Sequence, residues 1–130
     1  MIVDTTLLVD LLRGDAEAKA EVERLEATGA VLWIPTPVIF ELAEGIERAD
    51  RPPSERARVD AVLEGYTVLD FTRVHASRAG ETSGNLIRRG SMIDPVDAQV
   101  AGIALVERLP VLTRNVKHFA RVPGLETATY

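Results

Sequence analysis

The sequence alternates short apolar runs with longer segments of helical spacing. Four runs rich in β-branched residues lie at 1–3, 31–34, 66–69 and 110–113, and apolar residues between them recur every three or four positions. Such alternation is typical of parallel strands joined by crossover helices, and strands that are apolar throughout indicate a sheet covered on both faces. The sequence therefore predicts an α/β fold of three layers, with a central, mostly parallel sheet and helices on both faces.

The segments between the strands carry helix start and stop signals. The clearest starts are Thr36 followed by Pro37 and Asp94 followed by Pro95, because Thr and Asp are favoured N-caps and proline is favoured at the first helical position. Gly90 is a stop signal. Helices are predicted over 7–12, 18–29, 36–50, 57–63, 74–88 and 94–107. A weaker alternation over 125–129 predicts a short edge strand.

Two glycines one helical turn apart, Gly80 and Gly84, lie in the predicted helix over 74–88. They do not form a nucleotide-binding loop, since the Gly-Lys-Ser/Thr that ends such a loop is absent. We therefore expect these two glycines to mark a close helix contact.

Composition limits the classes of function. The chain has 130 residues without a clear linker, so a single domain over 1–130 is expected. The absence of cysteine excludes disulfides, zinc–thiolate sites and iron–sulfur clusters. A net charge of −5 argues against non-specific binding of nucleic acid. The longest apolar stretch, 30–40, is interrupted by prolines, and no export signal follows Met1, so a cytoplasmic protein with no membrane partner is expected.

Polar residues follow several of the predicted strands directly. They are Asp4, Thr5 and Thr6 after the first run, Glu41 in the helix after the second, and Thr113, Arg114 and Asn115 after the fourth. Asp94 and Asp97 begin the helix that leads into the fourth strand. Because ligands of open α/β sheets bind beyond the carboxyl ends of the strands, these residues are the candidates for a functional site.

Each acid also has a purely structural interpretation. Asp4 has the position of an N-cap for the first helix. Glu41 lies away from the apolar stripe of its helix, so periodicity alone predicts a solvated side chain. Asp94 is a favourable cap, and Asp97 could be its partner in the first helical turn. Spacing alone leaves these alternatives open.

The order and context of the acids resemble those of PIN-domain ribonucleases, and more closely the VapC toxins of VapBC toxin–antitoxin modules. Four stretches carry the resemblance: IVDTTLLVDLL, PTPVIFELAEG, DAQVAGIAL and LPVLTRNVKHF. They place Asp4, Glu41 and Asp97 at the family's first three acidic positions, so that Asp97 and not Asp94 is the third acid. Asn115 occupies a position that is Asp or Asn in the family, and Thr6 stands where many relatives carry Asn or Ser.

The resemblance implies a metal-dependent endoribonuclease with catalytic residues Asp4, Glu41 and Asp97. Carboxylates that converge repel one another, and hard oxygen ligands without His or Cys suit Mg²⁺ or Mn²⁺. The expected metal ligands are Asp4 and Asp97, with Glu41 and Asp94 as further candidates. Polar support is expected from Thr6, Thr113 and Asn115, and RNA binding from Arg13, Arg114 and Lys117, which lie close to the acidic motifs.

The family also implies partners and leaves alternatives. The expected partners are an RNA substrate, cleaved to leave a 5′ phosphate, a cognate VapB-like antitoxin and a second copy in a homodimer. One alternative is a module with the same fold that binds RNA or a protein without activity. Another is a phosphoacceptor receiver domain, although Lys117 lies four residues beyond Thr113 instead of at a strand end. His75 and Trp33 are predicted core or boundary residues, and His118 is not predicted to be catalytic.

Overall fold

The computed structural model describes all residues from Met1 to Tyr130 and has alternating strands and helices. The strands are β1 (Ile2–Val3), β2 (Trp33–Pro35), β3 (Thr67–Leu69), β4 (Val111–Leu112) and β5 (Thr127–Ala128). The helices are α1 (Thr5–Arg13), α2 (Ala16–Ala27), α3 (Thr36–Glu47), α4 (Pro52–Leu63), α5 (Arg73–Arg88), α6 (Pro95–Glu107) and α7 (Val116–Phe119). The predicted α/β class and the weakly indicated fifth strand are confirmed, whereas α7 was not predicted.

The five strands form one parallel sheet in the order β3-β2-β1-β4-β5. The chain runs outward from β1 to β3 and then crosses back to β4 on the other side of β1. The strand order therefore reverses between β1 and β4, which is where open α/β sheets bind their ligands. This order also differs from the 2-1-3-4-5 order of receiver domains, so the receiver alternative is wrong.

The crossovers distribute the helices over both faces of the sheet. Parallel crossovers are right-handed, so the face that a connecting helix covers depends on the direction in which the chain moves across the sheet. The helices between β1 and β3, α1–α4, therefore lie on one face, and those between β3 and β5, α5–α7, lie on the other. The packing agrees, since α1 contacts α2, α3 and α4, while α5 and α6 pack against each other. Central strand residues such as Ile2, Val3, Val111 and Leu112 are fully buried as a result. This burial explains why these strands are apolar without alternation.

The close approach between α5 and α6 is made by Gly102 and not by the two glycines singled out in the sequence. A Cβ built on Gly102 would lie 2.7 Å from the N, Cα and Cβ of Ala79, whereas one built on Gly80 or Gly84 would meet nothing within 4 Å. The expectation for Gly80 and Gly84 is therefore wrong. Both lie on the exposed side of α5, and Gly102 on α6 forms the contact.

The start of α3 differs from its predicted cap. The N-cap residue is Pro35, and Thr36 is already the first helical residue. The Thr36 hydroxyl accepts a hydrogen bond from the Phe71 backbone N–H at 2.9 Å, so it joins α3 to the segment after β3. Tertiary contact has here replaced the local capping role.

A second tie links α5 to the end of α6. His75 is 3% exposed, and its Nε2 lies 2.7 Å from Oε1 of Glu107. The Glu107 carboxylate only accepts, so Nε2–H donates to it, and Nδ1 accepts from the Thr72 backbone N–H at 3.0 Å, with the Asp70 carbonyl oxygen 3.1 Å from the same nitrogen. The predicted core position of His75 is confirmed.

The helices are short. The longest, α5, has 16 residues, whereas a span of the bilayer core needs about 20 apolar residues. None of the helices has the length and hydropathy required to span a membrane.

Candidate functional site

A cleft of about 500 Å³ opens where β1 and β4 end. Eleven residues line it, and only Val9 among them is apolar. Five of the lining residues are acidic: Asp4, Asp10, Glu41, Asp94 and Asp97. The predicted acids, which come from three separate parts of the chain, therefore share one cleft at the point where the strand order reverses.

Asp4 leaves β1 in an extended conformation at the N-cap position of α1, but its side chain makes no capping hydrogen bond. Its Oδ2 instead accepts hydrogen bonds from the Thr113 hydroxyl at 2.7 Å and the Thr6 hydroxyl at 3.1 Å. Asp4 is only 3% exposed. Capping therefore does not explain this residue, and two hydroxyls from α1 and the end of β4 hold its carboxylate.

The two threonines are themselves fixed by the loop after β4. The Arg114 N–H donates to the Thr6 hydroxyl at 3.2 Å, and the Asn115 N–H donates to the Thr113 hydroxyl at 2.8 Å. Each threonine hydroxyl thus accepts a hydrogen bond from a backbone N–H and donates one to the Asp4 carboxylate. The arrangement fixes one oxygen of the carboxylate by contacts that span 109 residues of sequence.

Glu41 lies on α3 and accepts a hydrogen bond at Oε2 from the Thr5 hydroxyl. The solvated position predicted from periodicity is wrong, because the side chain is partly covered at the wall of the cleft. Burial raises the pKa of Glu41, the Thr5 bond opposes that shift, and the negative charges of Asp4, Asp97 and Asp94 raise it further. Glu41 is therefore held in a field of like charge.

Asp97 and Asp94 have separate roles at the start of α6. Asp94 is the N-cap, and its Oδ1 accepts from the Val96 N–H at 3.0 Å. Asp97 is 9% exposed and its Oδ2 lies 2.8 Å from Nδ1 of His118 and 3.4 Å from the amide nitrogen of Asn115. Burial raises the pKa of Asp97, the His118 bond opposes the shift, and the charge of Asp4 adds to it. Asp94 caps the helix, and Asp97 is free of that task.

Comparison with known proteins identifies the family. The sequence profile of the PIN domain matches residues 1–125. The chain belongs to the PIN domain family. Among curated relatives, ribonuclease VapC19 of Mycobacterium tuberculosis is 32% identical over 125 residues, covering 96% of each protein. The tRNA(fMet)-specific endonuclease VapC of Shigella flexneri is 30% identical over 105 residues, which is 81% of this chain and 80% of that protein.

Solved structures show the same fold. The VapBC2 complex of Rickettsia felis, bound to a DNA fragment from its promoter, contains a chain that superposes with a TM-score of 0.92 at 23% identity, covering 99% of this chain and 97% of that one. The DNA-bound VapBC of Salmonella typhimurium matches with a TM-score of 0.88 at 26% identity, covering 98% and 96%. The three-layer PIN architecture expected from the sequence is thereby confirmed.

The cleft of this PIN domain contains the donor atoms that a hard divalent cation prefers. No three Asp, Glu or His side chains are spaced to enclose a metal ion among themselves. Mg²⁺, however, keeps several waters and takes only one or two carboxylates directly, so the donor chemistry fits it. The hydrogen bonds of Asp4 and Asp97 engage Oδ2 alone. Since no fully buried polar side-chain atom lacks a partner, the unbonded Oδ1 of each is not completely enclosed, and both residues line the cleft.

The three basic residues predicted to bind RNA have different surroundings. Arg13 is exposed and lines the cleft, and its guanidinium forms no hydrogen bond or ion pair within the chain. Arg114 also lines the cleft, but its guanidinium lies 3.3 Å from Asp10 and 4.6 Å from the ring centre of Tyr130, and it pairs with two further acids. Those acids are Asp15 at 3.1 Å and Glu17 at 2.7 Å. Lys117 is exposed on α7 and does not line the cleft.

Two residues near the cleft, Asp10 and His118, were not predicted from the sequence to take part in it. Asp10 faces the cleft and accepts a hydrogen bond from the Tyr130 hydroxyl at 2.9 Å. His118 reaches Asp97. The signal for Asp10 was its spacing of four from Thr6, which puts both on one face of α1. The signal for His118 was its spacing of three from Asn115, but the short helix α7 that gives this spacing meaning was not predicted.

Proposed function

We propose that this PIN domain is a metal-dependent endoribonuclease that hydrolyses RNA phosphodiester bonds in the cleft between β1 and β4. The observation that carries the proposal is the meeting of Asp4, Glu41 and Asp97 in one cleft, where burial and like charge raise the pKa of the latter two. Acids that serve only stability would not be gathered against their own repulsion. The curated relatives named as ribonucleases support the same assignment.

The cofactor in this proposal is Mg²⁺ or Mn²⁺, with Asp4 and Asp97 as direct ligands through the oxygens that make no hydrogen bond. Glu41 would contribute through water, and Asp94 would add negative charge from its cap position. When bound, a divalent ion relieves the repulsion of the carboxylates, makes water a better nucleophile and stabilises the negative charge that develops on phosphate.

The protein's own groups supply orientation and a proton acceptor. The hydroxyls of Thr6 and Thr113 keep Asp4 oriented, since both donate to its Oδ2. Asn115 lies beside Asp97 and adds no charge. Glu41 is the group best suited to accept a proton from the attacking water, because its raised pKa brings it closer to the working pH.

The phosphates of RNA need a positive partner near this acidic cleft, and Arg13 supplies it most directly, because its guanidinium has no partner in the chain. Arg114 would bind a phosphate only by giving up contacts with Asp10, Asp15 and Glu17. Lys117 would contact the RNA only if the RNA extended past the cleft toward α7.

The partners follow from the relatives. Chains of this fold occur in DNA-bound VapBC complexes, so we propose a small VapB-like antitoxin as partner. The homodimer implied by the family resemblance is proposed as the toxin's own assembly. The acidic cleft would receive a basic segment of the antitoxin. A substrate of cellular RNA agrees with the cytoplasmic location expected from the sequence.

The test is cleavage of labelled RNA in Mg²⁺ by wild type, Asp4→Asn and Asp97→Asn. Asp60→Asn is the matched control, since Asp60 is exposed on α4 and does not line the cleft. We expect losses of at least about 100-fold for the two cleft variants, the equivalent of roughly 2.7 kcal/mol of barrier, and none for the control. Folded Asp4→Asn and Asp97→Asn proteins that cleave at the wild-type rate would refute the proposal. Mn²⁺ binding without cleavage would favour the inactive binding module.

A further inference from the structure

His118 lies where a side chain can orient Asp97. It belongs to α7, which Phe119, a fully buried residue, holds against the core. Its Nδ1 is 2.8 Å from Oδ2 of Asp97, and its side chain is 43% exposed while that of Asp97 is 12% exposed. The helix is thus held in place by Phe119 independently of the histidine bond.

The hydrogen on the ring can be assigned from its neighbour. An ionised carboxylate only accepts hydrogen bonds, so Nδ1 of His118 carries the proton that is donated to Asp97. The Asn115 amide, 2.8 Å from the same Nδ1, then meets it best with its oxygen, which a 180° turn of the amide provides. The turned amide gives up its 3.4 Å contact with Oδ2 of Asp97 and leaves His118 as the donor to that oxygen. His75 has the opposite assignment, with its hydrogen on Nε2. The two histidines of the chain should therefore be different tautomers.

The bond to His118 fixes which oxygen of Asp97 faces the ligand. A carboxylate with no partner can rotate about its last bond, which is a broad torsion. With Oδ2 held by His118, Oδ1 is the oxygen left for a ligand in the cleft. Groups that hold a metal-binding side chain in this way commonly change metal affinity 10–100-fold when removed, as a rough guide.

We propose that His118 is a positioning residue: through Nδ1 it sets the orientation of Asp97 and so raises the affinity of the cleft for a divalent cation. This inference rests on the proposed function, because it assumes that Asp97 is a metal ligand. His118 touches neither the cation nor the RNA in this role.

The test replaces His118 by two residues whose amide nitrogens take the places of different ring nitrogens. The amide nitrogen of Asn can take the place of Nδ1, whereas that of Gln takes the place of Nε2 and cannot reach Asp97 in the same way. Mn²⁺ affinity of the full chain is measured by calorimetry for wild type, His118→Asn and His118→Gln, with thermal unfolding as a check of folding. We expect His118→Asn to stay within about threefold of wild type and His118→Gln to bind about 10–100-fold more weakly.

A second measurement needs no metal. Long-range ¹⁵N spectra of the two histidines are expected to show His118 protonated on Nδ1 and His75 on Nε2. Equal Mn²⁺ affinity for wild type and His118→Gln, or a His118 protonated on Nε2, would overturn the inference while leaving the nuclease proposal in place. A wild-type chain that binds no Mn²⁺ would overturn both.

Discussion

Substitution of Gly102 by alanine is expected to push α5 and α6 apart. The added methyl would lie 2.7 Å from three atoms of Ala79, two of them backbone, so no side-chain rotation relieves the contact. Ordinary van der Waals contact begins near 3.4 Å, and the helices must separate by several tenths of an ångström or more. Such overpacking costs about 1–3 kcal/mol, against which alanine gains about 1 kcal/mol of helix propensity.

Gly84→Ala is the matched control. Gly84 lies on the exposed side of α5 with nothing within 4 Å of the built Cβ, so only the propensity gain of about 0.5–1 kcal/mol remains. The two glycine-to-alanine changes should therefore differ by about 2 kcal/mol in the free energy of unfolding. For a chain of this size that is a difference of roughly 6–10 °C in Tm, with Gly84→Ala the more stable variant.

Urea and thermal unfolding followed by circular dichroism measure both variants against wild type. Because α6 also carries Asp97, the folded fraction of Gly102→Ala should cleave RNA more slowly than its stability alone implies. Equal stabilisation by the two substitutions would refute the close contact between α5 and α6.

Three further predictions concern charge. Burial raises the pKa of Asp97, so the folded chain holds this proton more tightly than the unfolded chain does. The free energy of unfolding therefore falls as the pH rises from the ordinary pKa of an aspartic acid through the raised one. Asp97→Asn is therefore expected to unfold at a higher temperature than wild type at pH 7, and added Mn²⁺ should raise the Tm of wild type alone. Glu107→Ala leaves the buried Nε2–H of His75 unpaired and should cost about 1–3 kcal/mol in urea unfolding, whereas Glu107→Gln, which keeps an acceptor, should cost less. Arg13→Ala should raise KM for RNA with little change in kcat and flatten the salt dependence of binding; an unchanged KM would exclude Arg13 from the RNA surface.

The sequence was most informative where burial imposes a simple pattern. β1 and β4 are buried on both sides, so their residues had to be apolar, and the polar residues that end them, Asp4 and Thr113, stood out. Asp94 and Pro95 marked the start of α6 because capping is a local interaction. The class of fold, the strands and the neighbourhood of the first and third acids could therefore be predicted.

Contacts between distant elements could not be predicted in this way. Glu41 was predicted to be solvated because a helical wheel shows only whether a residue lies on the apolar face of its helix. It does not show that a polar face forms the wall of a cleft. The contact of Gly102 with Ala79 depends on how two helices cross, which no local spacing encodes. The contact of His118 with Asp97 was not predicted because a single turn of helix such as α7 is too short to show periodicity.

The reversal of strand order between β1 and β4 has a consequence for synthesis on the ribosome. Asp4 emerges first, but the hydroxyl of Thr113 that holds it emerges 109 residues later, and α6 must also be in place. Since β1 is the middle strand, its pairing with β4 is a late, long-range event of the kind that limits folding rates. A nascent or truncated chain that stops before β4 should therefore not cleave RNA. A partner could then bind at any time during translation, before the site is complete.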